Sequence, residues 1–294
     1  MKIITICATK GGVGKTTIAY NFGEWLAING NHVLFIDLDQ QCNLSHLYGL
    51  EKNNNNVESI FADNTKELTI LSANNNPNID IIPGSYNLNS ISSWLSTKKH
   101  KSPMYLFLWL KRANQEGLLK KYDYIILDCH NVYDDITINA TVVSDIILSP
   151  ITPSEFGYGA KFAFSNILNE SKTEIIDFTT GESYIKAPLY FVANMIKHNT
   201  SSSKEFLEVL KNENDVIAYL PEREIFNRTT LEYMPIAKMA KSNTQKYVKY
   251  RKIFNLIEKE FIKIKNIVDK LWYNTIYNLN YKLIEGVIYE YEEL

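Results

Sequence analysis

Two lysines, three glycines and three threonines fall within nine residues near the amino terminus, as Thr9-Lys10-Gly11-Gly12-Val13-Gly14-Lys15-Thr16-Thr17. These types in this order suit phosphate chemistry. Glycine opens backbone angles closed to other residues, so several N–H groups can crowd around phosphate oxygens. Lys15 is placed to reach β- and γ-phosphates, and the Thr16 hydroxyl to hold Mg²⁺. The flanks agree. Apolar Ile3-Ile4-Thr5-Ile6-Cys7-Ala8 precedes the segment and an amphipathic run follows from Ile18. That predicts strand, turn and helix, with the positive end of the helix dipole aimed at the anion. An ordinary glycine-rich turn is the plainer alternative, but Gly-Lys-Thr in this setting argues against it. The segment also departs from the usual phosphate-binding loop. The standard pattern has glycine where Thr9 stands, and Lys10 follows it. A second lysine at the mouth of the loop either screens the loop's own phosphates or points outward to a second nucleotide.

Carboxylates appear where a metal-assisted reaction would want them. The apolar run His32-Val33-Leu34-Phe35-Ile36 delivers Asp37-Leu38-Asp39, and Tyr122-Asp123-Tyr124-Ile125-Ile126-Leu127 delivers Asp128. In open parallel sheets, ligands bind at the carboxyl ends of strands. Carboxylates there are costly unless paired or bound to metal. One of the first pair could instead cap the next helix. An apolar run ending in aspartate is common by itself and gains weight from the loop upstream.

Lys-Gly-Gly-Val-Gly-Lys-Thr-Thr resembles the deviant Walker A motif of the ParA/MinD/Soj family of partition and positioning ATPases. Asp37-Leu38-Asp39-Gln40-Gln41-Cys42-Asn43 resembles that family's second motif, with Gln40 where proline is usual. Asp128 resembles its Walker B aspartate, but Cys129-His130-Asn131 follows where the family has two prolines. The resemblance extends from residue 1 to about 260. It implies ATP and Mg²⁺ as cofactors, with Gly11, Gly12, Val13, Gly14, Lys15, Thr16 and Thr17 around the phosphates. It implies Thr16, Asp37 and Asp128 at the metal, Asp39 on the attacking water, and Lys10 as the signature lysine that crosses to the partner's ATP in a homodimer. Lys10, Lys15 and Asp39 are then the catalytic set, consistent with phosphoryl transfer by positioning and charge stabilisation. Asn194, ending the run Tyr190–Met195, is expected to read the adenine edge, although it could also be a turn former. Tyr219-Leu220-Pro221-Glu222-Arg223 resembles the family's adenine-framing segment, with Arg223 one position late. His130 could be a base, but reads better as a loop residue in the proline's place.

Strands alternate with helices along the chain. This predicts an α/β, doubly wound, mainly parallel sheet flanked by helices, with a helical C-terminal extension. Helices are expected over 15–29, 102–117 and 155–169, and strands at 32–36, 79–82 and 190–195. Residues 51–77, rich in asparagine, are expected to be mostly surface loop. The expected division is an ATPase domain at 1–260 and an extension at 261–294 packed on the same domain.

The 294 residues carry a formal net charge of −2, so nucleic-acid contact would need a local patch. Residues 238–270 supply one, with ten basic against three acidic side chains. Ile253, Leu256, Ile257, Phe261, Ile264, Val268 and Leu271 recur there at helical spacing, a stripe expected to pack on the sheet. Lys241, Lys246, Lys249, Arg251 and Lys252 are expected to contact DNA phosphates without sequence preference. The resemblance adds a ParB-like centromere-binding partner that stimulates hydrolysis. Three scattered cysteines, Cys7, Cys42 and Cys129, lack metal-like spacing and read as reduced and intracellular. A strand beginning at Lys2 leaves no room for a signal peptide, and no apolar run approaches the roughly 20 residues of a membrane span. A cytoplasmic, nucleoid-associated protein is expected.

Three rivals stand beside the partition ATPase. A membrane-cycling MinD-like ATPase needs a basic amphipathic terminus, whereas residues 271–294 carry one lysine against four glutamates. A tyrosine autokinase would use the cluster Tyr273, Tyr277, Tyr281, Tyr289 and Tyr291. A metal- or redox-cofactor ATPase needs cluster-ligand cysteines that the spacing does not offer.

Overall fold

The computed structural model describes residues 1–62, 68–73, 76–198 and 200–271. In chain order the elements are β1 (Lys2–Ile6), α1 (Lys15–Ile28), β2 (Val33–Leu38), α2 (Asn43–His46), β3 (Leu71–Ser72), β4 (Ile79–Ile82) and α3 (Leu88–Leu95). Then come α4 (Tyr105–Gln115), β5 (Tyr124–Cys129), α5 (Asp135–Val143), β6 (Ile146–Ile151), α6 (Glu155–Glu174), β7 (Leu189–Ile196) and α7 (Ser201–Leu210). The chain continues through β8 (Val216–Pro221), α8 (Glu224–Leu231), α9 (Ile236–Lys241), α10 (Gln245–Val248) and α11 (Arg251–Lys270). Short 3₁₀ turns lie at Val57–Ile60 and Ser96–Met104.

The strands form one eight-stranded sheet in the order β3-β4-β2-β5-β1-β6-β7-β8. All neighbours are parallel except β3, which pairs antiparallel with β4 at the edge. The expected doubly wound parallel sheet is therefore present. β1 sits between β5 and β6, and the chain leads away from it in both directions. The loop after β1 thus opens at the topological switch point, where the carboxyl ends of such sheets leave a crevice.

A parallel sheet covered on both faces needs strands that are apolar on both sides. Alternation along the strands supplies two cores. Ile4, Ile6, Phe35, Ile126, Leu148 and Val192 face α1, α9 and α11 on one side. Ile3, Leu34, Ile36, Ile125, Leu127 and Ile147 face α4, α5 and α6 on the other.

Helix α1 is the most deeply packed of these helices. It leaves the loop at Gly14 (φ 90°) and stops at Asn29, with Gly30 at φ 88° beyond it, close to the expected bounds. Its middle presses on the sheet at Gly23. A β-carbon there would stand 2.6 Å from Phe35 Cε1 and 2.9 Å from Ile126 Cδ1. That glycine sets the height of α1 above β2 and β5, and so the height of the loop it carries.

Between 51 and 77 the described segments hold only the 3₁₀ turn at Val57–Ile60 and the two residues of β3. The helix expected over 102–117 is shorter, because Pro103 lies in the 3₁₀ turn that precedes α4. The helix expected over 155–169 runs on to Glu174.

The division expected at 260/261 falls inside α11. Ile257 and Phe261, on either side of it, bury into the same core with Ile264 and Val268. Residues 261–270 therefore continue the core beneath the sheet, and 272–294 lie outside the described residues. Among the described residues no helix is long and apolar enough to cross a membrane.

Gly23→Ala should destabilise the protein by about 1–3 kcal/mol, the usual cost of forcing a methyl into a close-packed contact. Urea unfolding measures this, and an unchanged midpoint would mean that α1 can ride higher on the sheet without cost.

Candidate nucleotide site

The loop after β1 takes its shape from backbone angles that only glycine adopts easily. Gly12 has φ 72° and Gly14 has φ 90°. The first helical bond, Ile18 N to Gly14 O at 2.9 Å, closes the turn. A second clasp comes from β7: Asn194 Nδ2 donates to Val13 O at 2.8 Å, and its amide lies against the bare Cα of Gly14. Lys15 is 8% exposed, folded into the crevice.

Lys10 behaves differently from Lys15. Its ammonium donates to Ser154 Oγ at 3.0 Å in an exposed contact, beside the chain leaving β6. Ser154 is the N-cap residue of α6, yet its side chain caps no helix N–H. Of the two lysines that the sequence places on the loop, one is buried in it and the other lies on its rim.

The carboxylates gather on the other side of β1. Asp37 and Asp128 occupy paired positions of the neighbouring strands β2 and β5, and both are fully buried. Asp37 accepts from Ser45 N at 2.9 Å, Ser45 Oγ at 2.6 Å and Asp39 N at 3.1 Å. Burial outweighs these bonds and, with a smaller push from the Asp39 charge, raises its pKa to about 6. Asp128 has neither oxygen in a hydrogen bond. Burial first, then the neighbouring Asp37, push its pKa well above the ordinary value. The Thr16 hydroxyl and the Lys15 ammonium pull it the other way, and the hydroxyl lies near it without reaching hydrogen-bond geometry. Asp39 lies beyond the strand end, half-buried, and accepts from Gln41 N at 2.9 Å.

Two unpartnered carboxylate oxygens, buried beside a hydroxyl and a second carboxylate, fit a divalent cation. Among the described residues no group of three or more side chains forms a dedicated metal cage. This is the donor set that suits Mg²⁺, which keeps phosphate and water oxygens and takes only one or two carboxylates from protein.

The cleft beside the loop holds about 510 Å³. Gly14, Thr17, Asn194, Pro221, Arg223 and Phe226 line it, which brings the residues expected at the base to one place. Arg223 is half-buried and donates to the carbonyl of Glu222 at 3.1 Å.

His130 is buried and its Nε2 lies 2.8 Å from Asp134 Oδ1. Asp134 also caps α5, accepting from the amides of Ile136 and Thr137. The ring is thus an anchor for the turn after β5, as the loop reading of His130 expects. Ser45 and Ser154 are polar partners of site residues that sequence reasoning missed. Neither sits in a motif; they are found through the strand pairing and the helix start that bring them in.

The raised carboxylates give a signed prediction for the metal-free protein. Their folded pKa values lie above the unfolded ones, so the folded form holds protons more tightly and stability falls as pH rises from about 4 through about 6. For Asp37 alone the rise to about 6 is worth about 3 kcal/mol over that window. Asp128→Asn should flatten this fall and add about 1–3 kcal/mol at neutral pH, because it removes a buried, unpartnered charge. Urea unfolding in chelator at acid and neutral pH tests it; a variant less stable than wild type at neutral pH would contradict the reading.

Comparison with known proteins agrees with this geometry. The AAA_31 family model, an AAA domain, matches residues 1–179, more than half of the chain. The sporulation initiation inhibitor protein Soj of Bacillus subtilis is 36% identical over 170 residues, which are 57% of this chain and 64% of Soj. The match therefore spans less than two thirds of that relative. Among solved structures, apo McdA of Cyanothece superposes with a TM-score of 0.73 at 20% identity, covering 90% of this chain and 98% of McdA. A putative plasmid partition protein of Borrelia burgdorferi bound to AMPPNP gives a TM-score of 0.64 at 24% identity, covering 88% and 98%. At these identities the likeness is one of fold. Taken with the matched family model and the two-lysine loop, it places the chain in the ParA/Soj/MinD family of P-loop ATPases.

Proposed function

We propose that this ATPase is a partition-type switch: ATP closes a homodimer, the dimer holds DNA without sequence preference, and hydrolysis stimulated by a centromere-binding partner releases it. The observation that carries the proposal is the split between the two lysines. Lys15 is buried in its own loop, while Lys10 lies at the rim on Ser154, and this difference supports giving Lys10 to a neighbouring subunit's nucleotide.

Within one subunit, the amides from Gly11 to Thr17 and the Lys15 ammonium hold the phosphates. Thr16, Asp37 and Asp128 hold Mg²⁺, which when bound offsets the charge on the phosphate oxygens. Asp39, half-buried beyond β2, has a free oxygen position for a water molecule and orients it. Asn194 uses its amide N–H on Val13, which leaves its carbonyl oxygen for the exocyclic amine of adenine. Pro221 and Arg223 frame the base from the far wall of the cleft.

The DNA surface is narrower than the basic count over 238–270 suggests. Lys246 pairs with Glu232 at 2.7 Å, Lys263 with Glu260 at 2.7 Å and Lys265 with Asp269 at 2.5 Å. Lys238 lies 3.8 Å from the buried Glu24. Lys241, Lys249, Arg251 and Lys252 are exposed where α9, α10 and the start of α11 meet, and they form the proposed phosphate-binding face. The apolar stripe of α11 packs on the sheet through Phe254, Ile257, Phe261, Ile264 and Val268, whereas Leu256, expected in that stripe, and Ile262 lie exposed. The tyrosine cluster from Tyr273 to Tyr291 lies outside the described residues.

DNA binding across a salt series, with and without ATP, tests the proposal. Binding should require ATP, fail in Lys15→Ala, and weaken steeply with salt. Replacing Lys249, Arg251 and Lys252 with alanine should weaken binding to every sequence alike and lower the log–log salt slope by roughly one for each phosphate no longer neutralised. Equal binding without nucleotide would reject the switch. A loss confined to one sequence would reject a phosphate-only face. Lys10→Ala should still bind ATP but stay monomeric by light scattering; an ATP-dependent dimer from that variant would take away the role given to Lys10.

A further inference from the structure

The basic residues outside α9–α11 are not spread evenly. From Leu88 to Gln115 the chain holds Lys98, Lys99, Lys101, Lys111 and Arg112 and no aspartate or glutamate, a local charge of +5 in a chain whose net charge is −2. His100 lies among them. This stretch forms α3, the 3₁₀ turn at Ser96–Met104 and α4. Neither the nucleotide site nor the DNA face proposed above uses it.

Packing turns the stretch into one surface. Leu88, Leu95, Leu106, Phe107 and Leu110 bury into the core beneath the sheet, which leaves the other sides of α3 and α4 facing outward. Trp94 and Tyr105 meet edge to face, with ring centroids 5.7 Å apart, and join the end of α3 to the start of α4. Lys98 Nζ lies 4.4 Å from the centre of the Trp94 ring, a cation–π contact. Arg112 is exposed and stands seven residues beyond Tyr105, about two helical turns along the same side of α4. Lys98, Trp94, Tyr105 and Arg112 thus form a row, with Lys99 and Lys101 in the turn at its head.

Acids on the neighbouring elements are few and already engaged. Helix α5 brings Asp134 and Asp135, and the 3₁₀ turn at Val57–Ile60 brings Glu58. They accept hydrogen bonds from the hydroxyls of Ser92, Ser102 and Ser85 respectively. Exposed Asn89, Ser90 and Ser93 add uncharged polar groups to the surface. Cations mixed with hydroxyls and carboxamides suit phosphate oxygens. A lipid surface fits less well, because no large apolar side chain from Leu88 to Gln115 is exposed to enter the acyl region.

The surface lies across the sheet from the other basic face. Its helices cover the core that contains Ile3, Leu34 and Ile125, whereas α9, α10 and α11 cover the core that contains Ile4, Phe35 and Ile126. We propose that the acid-free stretch from Leu88 to Gln115 is a second phosphate-binding surface that takes a DNA duplex, so that the protein holds one duplex on each side of its sheet and bridges them. The choice of DNA, and the first of the two duplexes, rest on the function proposed above.

A two-duplex capture assay tests this on the full chain with ATP and Mg²⁺. One duplex is fixed to beads, and a fluorescent duplex of unrelated sequence is offered in solution after protein has bound. Wild type should capture the second duplex. Replacing Lys98, Lys99 and Lys101 with alanine should lower capture roughly tenfold or more, since each phosphate no longer neutralised keeps its counterion. Binding of that variant to a single short duplex should stay within about twofold of wild type, and its urea midpoint should be unchanged. Arginine at the same three positions should restore capture. Undiminished capture by the alanine variant, or none by wild type, would overturn the inference. So would substitutions that cost binding to phosphatidylserine vesicles or to duplex RNA and leave capture of DNA intact. Failure of the earlier reading shows elsewhere: replacing Lys249, Arg251 and Lys252 would then leave binding to a single duplex unchanged.

Discussion

Two buried carboxylates facing one another across paired strands are the constraint on which the rest of the site depends. Asp37 and Asp128 sit at matched positions of β2 and β5, shut away from solvent and without a basic partner in hydrogen-bond contact. Parallel strands run about 4.8 Å apart, so the two charges cannot avoid one another. A sheet that keeps such a pair must offset its cost elsewhere. Ser45 does part of this at Asp37, through its amide and its hydroxyl, and Ser45 Oγ is itself held by Gly84 N at 2.8 Å. Nothing equivalent serves Asp128. The asymmetry is informative: one carboxylate is held in orientation by protein, and the other is left for a ligand.

The cost can be borne because the sheet is buried on both faces. Two apolar cores, each built from alternate residues of the same strands, fix the strand ends that carry the acids. Gly23 lets α1 settle against Phe35 and Ile126, and this brings Thr16 and Lys15 down beside Asp128. A site that destabilises the fold locally is in this way carried by a tightly packed helix–sheet contact. Function at the strand ends and stability beneath them come from the same two strands read on alternate residues.

Much of this could be read from the sequence because it is local. Thr9–Thr17 states its own turn, and the apolar runs before Asp37 and Asp128 state their own strands. The bounds of α1 followed from a glycine turn at one end and Asn29-Gly30 at the other. What could not be read depends on pairings far apart in the chain. Asn194 reaches Val13 across 181 residues, and Lys10 reaches Ser154 across 144. The edge strand β3 escaped notice because two residues leave no periodicity to detect. The basic count over 238–270 misled in degree: Lys246 meets Glu232 across 14 residues, while Lys263 and Lys265 pair with Glu260 and Asp269 a single turn away on α11, as their helical spacing allowed. His130 was legible as a turn residue, but its partner Asp134 was not.

The position of Lys10 is best understood from what opposes it. A helix N-terminus carries about half a positive charge, and a serine there normally turns its oxygen toward the helix amides. Ser154 gives its oxygen to the Lys10 ammonium instead, beside the start of α6. A cation at that end of a helix is electrostatically disfavoured, and the contact is exposed to water, so little free energy holds it. The same lysine cannot turn inward at low cost, because Lys15 already occupies the loop and like charges would meet. An anion arriving from outside meets neither penalty. It would draw the ammonium off Ser154 and leave that hydroxyl able to cap α6. The loop's irregular residue is thus poised between two weak alternatives inside its own chain, and an anion from outside is the stronger one.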